Sequence, residues 1–185
     1  MSVFGEGLDQ AVQKAFTRPI PKSAGAQMRY LVKQLKGTRA VAQMLRISQR
    51  TVERYVRNQI KKPRPDLASR LEAEVTRRWQ PQVRARAKRR AATTDGIIID
   101  TRARIGYTAP VGTTDDARLR HLTVALPPQY AARLFHARDQ GAPDRQLQQI
   151  AAEALKDVYF QDGGRRAGSL EEIHFTDIEH VEFDL

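Results

Sequence analysis

The sequence predicts an α+β protein, with an N-terminal all-helical helix-turn-helix domain followed by a small β-hairpin plus two-helix domain. Two changes along the chain predict this class. Apolar residues recur at helical spacing in the first half, alternate with polar residues in two runs after residue 96, and return to helical spacing after Pro127. Charge changes as well: residues 1–92 hold 22 Lys and Arg against 6 Asp and Glu, a net of +16, and residues 93–185 hold 10 against 15, a net of −5.

The first half is predicted to consist of short helices. Leu8, Val12 and Phe16 lie on one helical face, and Ser23 is a favourable N-cap for a second helix. The segment 38–58, TRAVAQMLRISQRTVERYVRN, resembles a helix-turn-helix, with small Ala42 where two helices meet and Ser48 as the N-cap of the second. A helical hairpin with a solvated face is the alternative.

The outer face of the second helix in this motif is polar and basic. Arginine pairs with guanine and glutamine with adenine in the major groove, so these residues are candidates for nucleic-acid binding. Arg46 stands in the turn where glycine is common, which predicts a less sharp turn. The candidates on this face are Gln49, Arg50, Thr51, Arg54 and Arg57.

Two further basic segments follow the motif. The first is a stiff proline-containing linker, expected either to follow phosphates or a minor groove or to be a solvated hinge. The second follows Pro81 and is expected to contact phosphates and to be disordered without DNA. It can also act as an interdomain linker. Their candidate nucleic-acid-binding residues are Lys61, Lys62, Arg64, Arg84, Arg86, Lys88, Arg89 and Arg90.

The second half predicts a β-hairpin whose tip is an exposed loop over 108–116. Thr113, Thr114, Asp115 and Asp116 place two hydroxyls and two carboxylates there, although such residues are also common in turns and helix N-caps. The C-terminal run, LEEIHFTDIEHVEFDL, is an edge strand or an acidic tail that folds on a partner. A strand before two helices also resembles ribbon-helix-helix proteins, so a homodimer through this half is one alternative.

These features give a predicted organisation of three parts. Residues 1–62 form the helical DNA-binding domain with its helix-turn-helix at 38–58, residues 63–94 form a basic helix and linker, and residues 95–185 form the α+β domain with the loop at 108–116.

Several classes of protein are excluded by what the sequence lacks. It has no cysteine, hence no disulfide, thiol nucleophile or thiolate metal site, which fits a cytoplasmic protein. No apolar run is long enough for a membrane span, and the start does not have the pattern of a secretory signal. The sequence contains no metalloprotease, phosphate-loop, dinucleotide-binding or serine-elbow motif, and its four histidines have no ligand spacing. No metal site of its own and no autonomous enzyme activity are therefore expected.

The order of segments resembles one known family. A helix-turn-helix, the basic stretch RRWQPQVRARAKRR, the run GIIIDTRARIGYTAPVGTTDDARLRHLTVALPP and a helix pair ending EALKDVYF follow one another in this chain. This arrangement is similar to that of the telomere terminal proteins of linear Streptomyces chromosomes and plasmids. The resemblance extends over nearly the whole chain, and the GYTAPVGTTDD loop is more specific than the helix-turn-helix.

The resemblance implies a protein primer that remains covalently attached to the 5′ end of telomeric DNA. The acceptor of the first deoxynucleotide would be the hydroxyl of Thr114, with Thr113, Asp115 and Asp116 as candidate accessory residues, although spacing alone does not rank Thr113 against Thr114. The implied partners are telomeric DNA, as duplex or 3′ single strand, a DNA polymerase that supplies Mg²⁺, and a telomere-associated protein. The implied location is the nucleoid, at the telomeres. A helix-turn-helix regulator, or a replication or partition accessory protein without a covalent DNA linkage, is the alternative.

Overall fold

The computed structural model describes the backbone of residues 3–108, 114–165 and 170–185, and their side chains except at 108 and 114–116. This part of the chain contains helices and one three-stranded antiparallel sheet, so the predicted α+β class is confirmed. Single π-helical turns extend α6 and α8, at Ala91–Asp95 and Lys156–Phe160. The helices are α1 (Val3–Lys14), α2 (Ala24–Gln34), α3 (Thr38–Leu45), α4 (Gln49–Val56), α5 (Pro65–Arg78), α6 (Pro81–Arg90), α7 (Pro128–Asp139) and α8 (Asp144–Leu155), and the strands are β1 (Ile97–Thr108), β2 (Thr114–Leu126) and β3 (Glu172–Asp184).

The chain divides into two compact units that are not consecutive in sequence. Residues 17–81 form the helical unit, and residues 1–16 together with 82–185 form the sheet unit. The helical unit is therefore an insertion in the sequence of the sheet unit. It holds 16 Lys and Arg against 4 Asp and Glu, a net of +12, whereas the sheet unit holds 16 against 17, a net of −1.

The helical unit has a core to which α2, α3, α4 and α5 all contribute. Ser23 caps α2 by accepting a hydrogen bond from the Ala26 amide at 3.3 Å, as the sequence predicts. Ala42 is buried where α3 and α4 meet, because a small side chain lets the two helices approach. The buried apolar residues of this core are Ala24, Met28, Leu31, Val41, Ala42, Leu45, Val52, Tyr55, Leu67, Leu71 and Val75.

The turn between α3 and α4 is sharp, contrary to the sequence expectation. Arg46 adopts the left-handed conformation, with φ 54° and ψ 48°, that glycine favours at this place. The amide of Ile47 then donates to the carbonyl of Ala42 at 3.0 Å. The backbone geometry of the motif is therefore regular, and the strain of a non-glycine residue in this conformation is its cost.

The sheet unit is built on a three-stranded sheet with the order β2-β1-β3. The hairpin pairs Ile97 with Leu126 at one end and Thr108 with Thr114 at the other, with a register shift between Ile105 and Tyr107. Helices α1, α7 and α8 pack against the sheet, so one face of each strand is buried and the other is exposed. The C-terminal segment is the edge strand β3, which was one of the two alternatives.

The N-terminal helix α1 belongs to the sheet unit, which moves the predicted boundary of the helical domain. Phe4 and Leu8 are fully buried in the core formed by the sheet, α7 and α8. Asp144 accepts hydrogen bonds from the amides of Phe4 and Gly5, at 3.3 and 2.9 Å, and so caps the first turn of α1. The structure thus places 1–16 with the second half.

The predicted basic helix and linker at 63–94 is divided between the two units. Leu67, Leu71 and Val75 of α5 complete the core of the helical unit, whereas α6 lies in the sheet unit apart from its first residue. The tract from Arg84 to Arg90 is helical rather than disordered. In the described part of the chain, no helix is long and apolar enough to cross a membrane.

Candidate nucleic-acid interface and acceptor hairpin

The candidate interface of the helical unit is built on α4, whose start is fixed by its own hydroxyl residues. Ser48 Oγ accepts from the Thr51 amide at 3.2 Å and lies 2.8 Å from Thr51 Oγ1. Val52 and Tyr55 turn inward and anchor the helix to the core. Thr51 is half-buried and its hydroxyl lies in this cap, and its contact with DNA stays a prediction.

Three arginines form the exposed side of the same helix. Arg50, Arg54 and Arg57 follow at spacings of four and three residues, which places them on one face. Within the described residues, no hydrogen bond or ion pair involves the guanidinium group of any of the three. Their guanidinium groups are therefore available to bases or phosphates.

Gln49 is held in a defined orientation at the start of α4. Its Nε2 lies 3.1 Å from Thr38 Oγ1 and 3.0 Å from Glu53 Oε1. A carboxylate only accepts, so the amide nitrogen faces Glu53 and the amide oxygen is left for an outside donor. Adenine and cytosine both present an amino donor in the major groove, which broadens the sequence expectation of adenine alone.

The linker residues Lys61, Lys62 and Arg64 lie in an exposed segment without helix or strand between α4 and α5. Burial raises the pKa of the Tyr55 phenol, and the charges of Arg54 and Arg64 partly offset that rise. These two arginines thus lie near the same phenol, one on α4 and one in the linker. The linker contributes its positive charge next to the arginine face of α4.

The basic tract on α6 is used partly within the sheet unit. Lys88 Nζ forms an ion pair with Asp139 at 2.5 Å and lies 5.5 Å from the ring centre of Phe135. The Arg84 guanidinium lies 5.9 Å from the ring centre of Phe16, and Arg90 pairs with Asp95 at 2.6 Å. Of the five predicted residues, the exposed Arg86 and Arg89 are the strongest candidates for phosphate contacts.

The predicted acceptor lies at the end of the β1–β2 hairpin. The backbone of Thr114 begins β2 and pairs with Thr108, and Asp115 pairs with Tyr107. The strands therefore extend further into the predicted 108–116 loop than expected. Thr113 and the rest of 109–113 lie outside the described residues, as do the side chains of Thr114, Asp115 and Asp116.

A polar cluster on the exposed face of the sheet was not predicted. Asp100 lies on the central strand β1, between His121 on β2 and His180 on β3. The Nε2 atoms of His121 and His180 lie 3.1 and 3.6 Å from Asp100 Oδ1. Hydrogen bonds from Thr123 and then His121 lower the pKa of the Asp100 carboxyl. In the described ranges no group of three or more His, Asp or Glu side chains has the arrangement of a metal site. The sequence missed this cluster because its members are far apart along the chain.

Comparison of the chain with models of protein families, with curated proteins and with solved structures found no match. The function therefore has to be inferred from the residues of the chain and from the family resemblance of its sequence.

Proposed function

We propose that this chain is a telomere-binding terminal protein that primes DNA synthesis at the ends of linear chromosomes or plasmids. The observation that carries the DNA-binding part is the arginine face of α4, in a unit with a net charge of +12. Positive charge concentrated in this way attracts phosphates and releases their counterions. A recognition helix with Gln49, Arg50 and Arg54 exposed adds the capacity to read bases.

The priming part rests on the resemblance of the sequence and on the position of Thr114 at a strand end. In the proposed reaction Thr114 Oγ1 attacks the α-phosphorus of a deoxynucleoside triphosphate. The bond between the α-phosphorus and the bridging oxygen breaks, pyrophosphate leaves, and the hydroxyl proton passes to a base or to solvent. The product is a nucleotide ester on the protein whose 3′-hydroxyl is extended by the polymerase.

In this proposal the protein is the substrate and primer rather than the enzyme. The partner polymerase supplies Mg²⁺, which lowers the pKa of the attacking hydroxyl and stabilises the charge that develops on the phosphate. The partners are telomeric DNA, the polymerase and a telomere-associated protein, and the site of action is the nucleoid. A homodimer through the second half of the chain is a subsidiary proposal.

The test is nucleotide attachment by the full chain in the presence of polymerase, telomeric template and a radiolabelled nucleotide. Thr114→Val is expected to abolish labelling while DNA affinity stays within twofold of the wild type. Thr94→Val, at an exposed threonine that precedes β1, is the matched control and is expected to label normally, and Thr113→Val tests the neighbouring hydroxyl. Normal labelling of Thr114→Val would disprove the assignment of the acceptor.

The arginine face of α4 also fits a regulator, or a replication or partition accessory protein, without a covalent linkage. The two functions differ in what is found at the ends of cellular DNA. A terminal protein stays with terminal restriction fragments through detergent and is released only by protease. Terminal fragments that are free of protein after detergent extraction would favour the regulator.

A further inference from the structure

An aromatic and basic cluster lies on the half of the β1–β2 hairpin that is nearer its turn. The ring centres of Tyr107 and Phe160 are 6.3 Å apart, and those of Tyr159 and Phe160 are 5.0 Å apart. The Arg120 guanidinium lies 5.5 Å from the ring centre of Phe160. Four side chains from β1, β2 and the π-helical turn after α8 thus meet at one place. We call them the hairpin cluster.

The π-helical turn Lys156–Phe160 sets the direction of Tyr159. Val158 and Phe160 of this turn pack against the core, whereas Tyr159 is 46% exposed. The Tyr130 hydroxyl donates a hydrogen bond to Asp157, and the Gln161 amide donates to the Lys156 carbonyl at 2.8 Å, which holds the turn at both ends. Such turns often occur at functional sites.

The cluster lies next to the strand end that carries the proposed acceptor. Tyr107 pairs with Asp115, and the next pair along the hairpin is Thr108 with Thr114. Arg118 pairs with Ile105 and Arg120 with Ala103, so alternation places both arginines on the same face of the sheet as Tyr107. Aromatic rings and positive charge therefore occur together beside the start of β2.

The chemistry of these side chains matches an unpaired nucleobase. The rings of Tyr159 and Phe160 are nearly perpendicular, at 85°, so they are not stacked on each other, and the exposed Tyr159 has room for another planar group. Base stacking on an aromatic ring is worth about 1–3 kcal/mol, and a guanidinium adds attraction for the phosphate. In a duplex the faces of the bases are covered by their neighbours, which favours a single strand.

We propose that the hairpin cluster binds single-stranded DNA, with a base stacked on Tyr159 and the DNA backbone near Arg118 and Arg120. This inference rests on the proposed function, and it assigns the two units to different forms of DNA. The helical unit binds duplex, and the sheet unit holds the unpaired template strand beside the acceptor. A protein partner, such as the polymerase, is the competing occupant of the cluster.

The test compares Tyr159→Leu with Tyr159→Phe in the full chain. Binding of a fluorescent oligothymidylate and of a telomeric duplex is measured by anisotropy, without polymerase or nucleotide. Leucine keeps an apolar side chain but has no aromatic face, so single-strand affinity is expected to fall by roughly five- to 150-fold. The Tyr159→Phe variant keeps an aromatic ring and is expected to bind the single strand as tightly as the wild type. Duplex affinity is expected to stay unchanged in both variants. Ile98→Ala, an equally exposed apolar residue at the other end of β1, is the matched control.

Two results would overturn the proposal. One is unchanged single-strand affinity of Tyr159→Leu, and if polymerase binding is lost at the same time, the cluster is a protein-docking surface. The other is an equal loss on both DNAs, which would mean a general effect on folding. Photo-crosslinking of the wild type to a single strand containing 5-iodouracil needs no variant: a crosslink at Tyr159 supports stacking, and crosslinks confined to the helical unit contradict it. Neither readout depends on Thr114, so failure of priming and failure of stacking are separable.

Discussion

Leu8→Ala is expected to destabilise the sheet unit although Leu8 precedes the helix-turn-helix in sequence. Leu8 is fully buried in the core formed by α1, the sheet, α7 and α8. Leu45→Ala is the matched control, because Leu45 is also fully buried but lies in the core of the helical unit. The two substitutions remove the same atoms from two different cores.

The expected cost is that of a cavity in a packed core, about 2–5 kcal/mol for each substitution. A loss of about 3 kcal/mol of stability raises the population of locally opened molecules by roughly 100-fold, since 1.4 kcal/mol corresponds to a factor of ten. Phe4 lies one turn before Leu8 on α1 and is also fully buried, with its ring centre 6.1 Å from that of Phe183, so the large rings of this core have little freedom to refill the space.

Native-state hydrogen exchange, followed peptide by peptide, measures where protection is lost. Leu8→Ala is expected to accelerate exchange in β1, β3 and α8 by about the factor given above and to leave α3 and α4 unchanged. Leu45→Ala is expected to do the reverse. Loss of protection in α3 and α4 from Leu8→Ala, with the strands unaffected, would refute the assignment of α1 to the sheet unit.

Three further predictions follow from single side chains. Arg46→Gly removes the strain of a non-glycine residue in the left-handed conformation and is expected to stabilise the helical unit by about 0.5–1 kcal/mol in urea unfolding. Arg50→Gly, within α4, is the control and is expected to cost about 1 kcal/mol. A destabilised Arg46→Gly would mean that the arginine side chain holds the turn. Arg54→Ala is expected to lower affinity for telomeric duplex by about 1–3 kcal/mol more than for random duplex, whereas Arg86→Ala lowers both equally and less at high salt. Equal losses for Arg54→Ala would remove that residue from base readout. Burial, and then Asp157, raise the pKa of Tyr130 to about 12. As pH rises, the phenol therefore ionises first in the unfolded chain, so the stability of the wild type relative to Tyr130→Phe is expected to fall between pH 10 and 12. If the difference in urea midpoint between the wild type and Tyr130→Phe is the same at pH 10 and at pH 12, the shift is contradicted.

The periodicity of the sequence was enough to predict the hairpin and the helices other than α6, but it does not identify which core a helix joins. Leu8 and Leu67 recur at the same spacing as core residues of either unit. Only the tertiary structure assigns α1 to the sheet and α5 to the helical unit. Alternation likewise predicted strands on both sides of the hairpin tip, but not that pairing would continue to Thr108 and Thr114.

The candidate site was predictable where its residues are neighbours in sequence. Arg50 and Arg54 share a helix face by spacing alone. The hairpin cluster joins residues from 107 to 160, and no local pattern brings Tyr159 to Arg120. Lys88 shows the opposite problem, because its sequence context is that of a phosphate-binding tract while its ammonium group is paired with Asp139.

The two ends of the helical unit, at Thr17 and Gln80, lie close together in space. The Thr17 amide donates to Gln80 Oε1, and Gln80 Nε2 donates to Thr17 Oγ1, both at 3.0 Å. An insertion whose ends are adjacent can be exchanged for another by recombination at two nearby positions, and the host fold need not change. A lineage of such proteins would thus acquire a new helical unit, and under the proposed function a new DNA specificity, in one genetic event while the hairpin with Thr114 is inherited intact.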